Sequence, residues 1–165
     1  MQLRDVLVPE FDHEMALTRR VLDRVPFESS GWRPHPKSMT LGQLASHVAD
    51  IPSWASTLVQ GDGYDMGTDP PEPPATHASA AVLLEAFDTN TRGARAILSN
   101  VSDAELLAPW TLRQREQPVF TSPRFSVLRG FLFNHVIHHR GQLSVYLREL
   151  GVAIPSIYGP SADER

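Results

Sequence analysis

The stretch SPRFSVLRGFLFNHVIHHRGQLSVYLREL, residues 122–150, decides how the chain is read. It opens on Ser122 and Pro123, a hydroxyl cap followed by proline at the first helical position, and it is followed by Gly151, the residue type that most readily ends a helix. Leu128, Phe131, Leu132, His135, His139, Leu143, Tyr146 and Leu150 recur at spacings of three and four. One long amphipathic helix is therefore expected, with that line turned inward. Such a helix cannot bury its stripe alone.

Three upstream segments read the same way. The first runs from Pro9 to Arg24, carries Phe11, Met15, Thr18, Leu22 and Val25 on one face, and is stopped by Pro26. The second opens with Thr40 and Gln43 in capping-box spacing and continues to Val59, with Leu44, His47, Val48, Ile51, Ala55 and Leu58 inward. Pro52 should kink it, because proline removes one amide donor and crowds the carbonyl four residues back. The third spans Ser79 to Leu98, with Ser79 as cap and Val82, Leu83, Phe87, Ala94, Ile97 and Leu98 inward. Ser102 and Glu105 repeat the capping-box spacing for a short following turn. Gly, Pro and Asp crowd GDGYDMGTDPPEPPAT, residues 61–76, which reads as a loop, and Pro109–Val119 shows no helical period and reads as an extended connector. Loops on a rigid scaffold are where selectivity is expected. Strands are nearly absent from this reading and no phosphate-binding glycine loop occurs, so a nucleotide-binding α/β fold is not expected. The fold class that satisfies four such stripes is all-α, an antiparallel four-helix bundle, in a single domain over residues 1–165.

Composition narrows the function. A chain of 165 residues with 41% apolar content is long enough for one real core. Its net charge of −4 and pI near 5.9 give no broad positive field, so neither nucleic acid nor an anionic membrane surface is an expected partner. No stretch approaches the length of an apolar membrane span, and MQLRDVLVPEF at the N-terminus lacks the apolar run of a secretory signal, which points to the cytoplasm. With no cysteine, any metal must be held by imidazole, carboxylate or water.

Seven histidines then need explaining. His135 and His139 stand four apart, so on a helix both rings share one face, and both fall on the inward line. Two buried imidazoles need partners, since an unpaired buried polar group costs about 1–3 kcal/mol. A shared divalent metal supplies one, and His47 on the inner stripe of the second segment offers a third nitrogen. A lone inward histidine is more often a satisfied core residue; the combination of three is what favours metal. His138 falls on a neighbouring face, and His13, His35 and His77 read as surface or loop residues. Val136 stands where a zincin would carry its general-base Glu, so a peptidase of that type is disfavoured. Glu10 and His13 match half of a di-iron spacing, but the fourth segment offers only imidazoles inward. Asp50, one turn beyond His47, is a candidate to orient the ligand shell, while Gly141 and Gln142 are expected to serve helix packing and a buried hydrogen bond.

FNHVIHHRGQLSVYLRELGVAIPSIYGPSADE, from Phe133 to Glu164, and LGQLASHVADIPSW, from Leu41 to Trp54, resemble the two motifs of the DinB/YfiT-like metalloprotein superfamily. The resemblance implies a four-helix bundle of up-down-down-up connectivity, a homodimer, and one nickel, zinc or iron ion on His47, His135 and His139. Some relatives are S-transferases or isomerases that use a low-molecular-weight thiol (mycothiol, bacillithiol or glutathione) and others are hydrolases. A metal-dependent enzyme is thus the leading expectation, and a non-catalytic, metal-stabilised stress-response binding module is the rival. The tail SIYGPSADE is expected to fold back across the bundle and bring Tyr158 near an opening.

Overall fold

The computed structural model describes residues 1–67 and 73–164; residues 68–72 of the expected 61–76 loop lie outside that range. Helix α1 (Arg4–Leu22) starts five residues ahead of Pro9, which it contains. Pro9 deprives the Asp5 carbonyl of its intrahelical donor, and Asp5 is exposed, so the unpaired carbonyl falls at a solvent-facing position. Leu3, at the cap position, gives its N–H to Asp103 Oδ1 at 2.8 Å. The second segment is α2 (Leu41–Asp50), a 3₁₀ stretch over Ile51–Trp54, and α3 (Ala55–Gln60). Thr40 and Gln43 cap α2 reciprocally, and the tightened stretch falls at Pro52, where the missing donor breaks the α-type ladder. Helix α4 (Ala80–Asn100) is capped by Ser79, and the short α5 (Asp103–Leu107) by the Ser102–Glu105 box. Val82, expected inward, faces solvent.

The last segment carries two corrections. Ser122 and Pro123 do not begin the helix: Ser122 pairs with Trp110 in a strand, and α6 (Arg124–Leu128) starts after Pro123 without a side-chain cap. A π turn over Arg129–Asn134 then joins α6 to α7 (His135–Glu149). The wider turn shifts the inward line by one residue, so Val136, Arg140, Leu143 and Leu147 are buried, while His135, His139 and Tyr146 lie half-buried at its edge.

Ion pairs and hydrogen bonds fix how the long helices run. Arg19–Asp88 and Asp12–Arg95 set α1 antiparallel to α4. Glu10–Arg129 and Glu14–Arg140 set α1 parallel to α7. Met39–Tyr146 and His47–His135 set α2 antiparallel to α7. Taken in chain order, the directions are up, down, down, up. The core between them is apolar apart from the buried Glu14, Thr18, Ser46 and Arg140, with Phe11 edge-on to Phe133, and with Leu44, Val48, Leu83, Phe87, Leu98 and Leu132 fully enclosed.

A purely all-α fold is corrected by a small three-stranded sheet. Strand β1 (Gly63–Asp65) pairs parallel with β2 (Pro109–Gln114), which pairs antiparallel with β3 (Gln117–Pro123). The connector over Pro109–Val119 is therefore extended because it is strand. Arg115 and Glu116 form its two-residue turn with φ of 53° and 65°, the left-handed geometry that suits the twist of a hairpin. Neither residue is the usual choice there. Asp65 offsets this by accepting from the Glu116 N–H at 2.7 Å, the Arg115 N–H at 3.1 Å and the Gly67 N–H at 2.8 Å, and these bonds hold its carboxyl below the ordinary range. Gly63 is required by close approach, since a Cβ there would stand 2.2 Å from the Thr111 carbonyl oxygen. Trp110 anchors the sheet: it is buried, its indole N–H reaches the Thr57 carbonyl at 3.1 Å, and it clusters with Phe120 and Phe131.

Candidate metal centre

Helices α2 and α7 run side by side, and the segment containing His47 crosses the start of α7. His135 and His139, one turn apart on α7, thereby meet His47, and one ring nitrogen from each lies within 4.8 Å of the others. His47 Nε2 stands 3.0 Å from His135 Nε2, and the ring of His47 stands 4.6 Å from that of His139, centre to centre. Two imidazoles on a tetrahedral ion with bonds of about 2.0–2.1 Å place their nitrogens about 3.3 Å apart, so the spacing suits a shared ion. The indole of Trp54 packs against His47 and His135, with centroids 5.5 and 5.1 Å away, and closes that side.

Electrostatics agree with the donor chemistry. Burial, and then repulsion from His139 and His135, lowers His47 to about 4; burial, and then repulsion from His139 and His138, lowers His135 to about 4. His139 is lowered chiefly by burial, partly opposed by its hydrogen bond to Gln142. All three are neutral near pH 7, the form in which imidazole donates to a metal. His139 Nδ1 gives its proton to Gln142 Oε1 at 2.7 Å, which leaves the Nε2 lone pair free for the site. Gln142 thus makes an exposed bond that sets the His139 tautomer, and not the buried bond expected of it. Gly141 is exposed, and a Cβ on it would meet nothing within 4 Å, so it serves no helix packing.

A cleft of about 480 Å³ opens beside His47, the triad member that lines it. His47, Asp50 and Trp54 form one wall and Pro74, Thr76 and His77 another. The loop lies close on α2 because Gly42 has no side chain; a Cβ there would stand 2.6 Å from Thr76 Cγ2. The His77 N–H is pinned to the buried Ser46 hydroxyl at 2.9 Å.

The other candidates fall elsewhere. Asp50 does not touch the triad; its Oδ1 faces His77 Nε2 at 3.1 Å and the Asn90 amide at 3.5 Å. His77 is a half-buried wall of the cleft and not a free loop residue. His13 and His35 are exposed, and His138 is exposed with its ring 4.9 Å from His139. Glu10 is committed to Arg129. The tail packs back, with Glu164 on Arg20 and Arg24 and Asp163 on Arg148. Tyr158, however, lies away from the cleft lining: its hydroxyl reaches the buried pair Arg140–Glu14, accepting from Arg140 at 2.6 Å and giving its proton to Glu14 at 2.8 Å. Sequence reasoning missed Trp54 and Gln142 at the site and Arg140 in the core. Only Gln142 carried a signal, its position three residues after His139 on one helix.

Comparison with known proteins follows the same lines. The model of the DinB family matches residues 1–165. The uncharacterized protein YrdA of Bacillus subtilis strain 168 is 26% identical over 170 residues, covering 99% of this chain and 92% of its own. The crystal structure of a DinB-like protein from Bacillus cereus ATCC 10987 superposes with a TM-score of 0.67 at 25% identity, covering 89% of this chain and 92% of that one. The DinB-like protein YjoA of Bacillus subtilis shares the fold, with a TM-score of 0.67 at 19% identity over 96% of this chain and 98% of its own. The chain belongs to the DinB family.

Proposed function

From a DinB-family chain whose three imidazoles converge beside a cleft, we propose a metal-dependent enzyme in which His47, His135 and His139 hold one divalent ion and a small molecule enters through the cleft. The observation that carries this reading is the meeting of three neutral ring nitrogens within 4.8 Å. The donor set fits nickel, zinc or iron, all of which accept imidazole. An ion held by three neutral ligands supplies Lewis acidity at an open position, lowering the pKa of a thiol or a water there.

The chain's own residues do the rest. Gln142 keeps the His139 lone pair aimed at the site, and Trp54 excludes water from the His47–His135 side. The chain has no cysteine, so a sulfur nucleophile must arrive as a low-molecular-weight thiol; the reaction class we favour is thiol-dependent S-transfer, with hydrolysis second. The selectivity expected of the loops falls on Pro74–Thr76, which face the cleft. The proposal extends to a cytoplasmic homodimer, checked by sedimentation and cell fractionation.

Elemental analysis of untagged protein beside the His135→Ala variant tests it. About one ion per chain, lost in the variant, is expected for a three-ligand site. Folded protein that accepts none of zinc, nickel, iron or manganese refutes it and leaves a non-catalytic binding module. A purely structural tie between α2 and α7 would call for a closed fourth ligand, and among the described residues three donors converge.

A further inference from the structure

The cleft has a second imidazole-bearing wall that the metal centre does not use. His77 Nε2 faces Asp50 Oδ1 at 3.1 Å, and because a carboxylate only accepts, Nε2 carries a proton, which in the neutral imidazole leaves the lone pair on Nδ1. Asp50 is itself held: Asn90 on α4 directs its amide to the Ala49 carbonyl at 3.1 Å and toward Asp50 Oδ1 at 3.5 Å. The backbone of His77 is fixed by Ser46, so the ring is placed from three sides. Among the described residues Nδ1 has no hydrogen-bond partner, and the side chain is 22% exposed. A base held in one tautomer by a carboxylate, which is positioned in turn by a third group, is the arrangement that proton transfer requires.

Resting on the reading of the triad as a metal site, we propose that His77 is the proton acceptor of the cleft. It takes onto Nδ1 the proton that a small molecule loses when its donor atom is drawn to the triad. Asp50 and Asn90 are positioning residues for it.

The need for such a group follows from the donor set. A thiol binds an ion as thiolate, so its proton must go somewhere. The triad nitrogens would hold the ion, and the Gln142 oxygen is committed to His139. Asp50 Oδ1 is engaged by His77 and Asn90, a carboxylate is ordinarily a far weaker base than an imidazole, and Trp54 is a donor only. Among the described residues of the cleft walls, His77 alone offers an unused basic nitrogen. In the step, the S–H bond breaks, its electron pair stays on sulfur, and an N–H bond forms at Nδ1. The resulting imidazolium faces the Asp50 carboxylate as counter-charge.

The test uses the full chain loaded with cobalt(II), with β-mercaptoethanol as probe. Thiolate-to-cobalt absorption reads binding. Calorimetry in two buffers of different ionisation enthalpy, at a pH where the free thiol is protonated, counts protons released per thiol bound. Cobalt content is measured first and is expected to be equal in wild type and in the His77→Asn variant. The wild type is expected to release almost no proton to buffer and His77→Asn about one, because the thiol must still ionise on binding. Asp50→Asn should lie between them, since it frees the imidazole tautomer without removing the ring. Equal release from wild type and His77→Asn overturns the proposal even if thiol affinity differs, because a merely structural His77 would shift affinity and leave the proton count alone. Loaded protein that takes up no thiol also overturns it. Failure of the wild type to hold cobalt sinks the metal reading itself and this inference with it, an outcome distinct from the other two.

Discussion

Replacing Arg140 by methionine should destabilise the protein more than replacing any of the triad histidines. Arg140 is 1% exposed, and Glu14, its partner at 2.7 Å, is 5% exposed. One guanidinium nitrogen also serves the Glu14 carbonyl at 3.0 Å and the Thr18 hydroxyl at 3.1 Å, and the other serves the Tyr158 hydroxyl. With Arg140→Met, the Glu14 carboxylate stays enclosed with only the Tyr158 proton for company. Breaking a buried pair on one side costs about 3–5 kcal/mol. At about 2–4 °C per kcal/mol for a chain of this size, the midpoint of thermal unfolding should fall by roughly 10 °C. Tyr158→Phe removes one donor and one acceptor but no charge, and should cost about 1–3 kcal/mol. The decisive variant is the double change Glu14→Leu with Arg140→Met. It removes both charges at similar volume and should recover most of the single-variant loss, because the desolvation of two ions no longer has to be offset. Urea unfolding of wild type, Arg140→Met, Glu14→Leu and the double variant, followed by circular dichroism at fixed pH, gives the cycle. Arg140→Met within about 1 kcal/mol of wild type, or a double variant no more stable than the single one, would refute the claim that this buried charge pair governs the α1–α7 contact.

Three further outcomes are expected. His47 and His135 are both lowered to about 4 from 6.5, so the unfolded chain binds protons that the folded one resists. Stability of the metal-free protein is therefore full above pH 6.5 and falls as pH drops toward 4. Both rings are half-buried and share their repulsion, so the pair accounts for about 3 kcal/mol after allowance for solvent screening, and His47→Gln with His135→Gln should flatten that part of the urea-midpoint profile. Gln142→Ala should weaken ion binding about 10–100-fold in competition with a chromophoric chelator, with unfolding unchanged; an affinity equal to wild type removes Gln142 from the site. Asp65→Ala should speed hydrogen exchange at the Arg115 and Glu116 amides while the Trp110 indole stays protected, and exchange that is equally slow in both proteins argues that the turn holds itself.

How much of this was legible depends on the range over which each signal acts. Capping boxes are local: a hydroxyl and an amide or carboxyl three residues apart satisfy each other's neighbouring donors whatever the rest of the chain does, and Thr40–Gln43 and Ser102–Glu105 form as their spacing requires. The kink at Pro52 is local in the same sense. The sheet was not legible, because its turn is Arg115–Glu116 and lacks the glycine or asparagine that announces a left-handed hairpin turn. What makes that turn tenable is Asp65, fifty residues away in sequence. Gly63 and Trp110 are likewise explained by neighbours that no spacing rule connects to them. The role of Asp50 was misassigned for the same reason. One helical turn from His47 is a statement about α2 alone, and the partner that claims the carboxylate, His77, comes from a loop that crosses α2 only because Gly42 and Ser46 let it lie close.

The triad and its surroundings show where a periodicity argument holds and where it fails. His135 and His139 lie within α7, entirely after the π turn, so their mutual spacing is that of an undisturbed helix and the inference that both rings share a face survives. The phase of that face relative to Leu128 does not survive, because the line was carried across Arg129–Asn134. One residue accommodated there turns everything after it by about 100°. The line read as Leu132, His135, His139, Leu143 and Tyr146 becomes Leu132, Val136, Arg140, Leu143 and Leu147. The same rotation has two consequences that belong together. It takes the histidines off the centre of the core and sets them half-buried at the seam with α2, against His47, which lines the cleft. It also turns Arg140 into the core, where a carboxylate, a carbonyl and a hydroxyl supplied by α1 and a second hydroxyl from the tail make its burial tolerable. Glu14, Thr18 and Tyr158 are thus the counterpart of the half-buried triad: a helix phase that brings the imidazoles of α7 to the seam with α2 places a charge on the far side, and the residues of α1 and the C-terminal tail are those that a buried guanidinium requires.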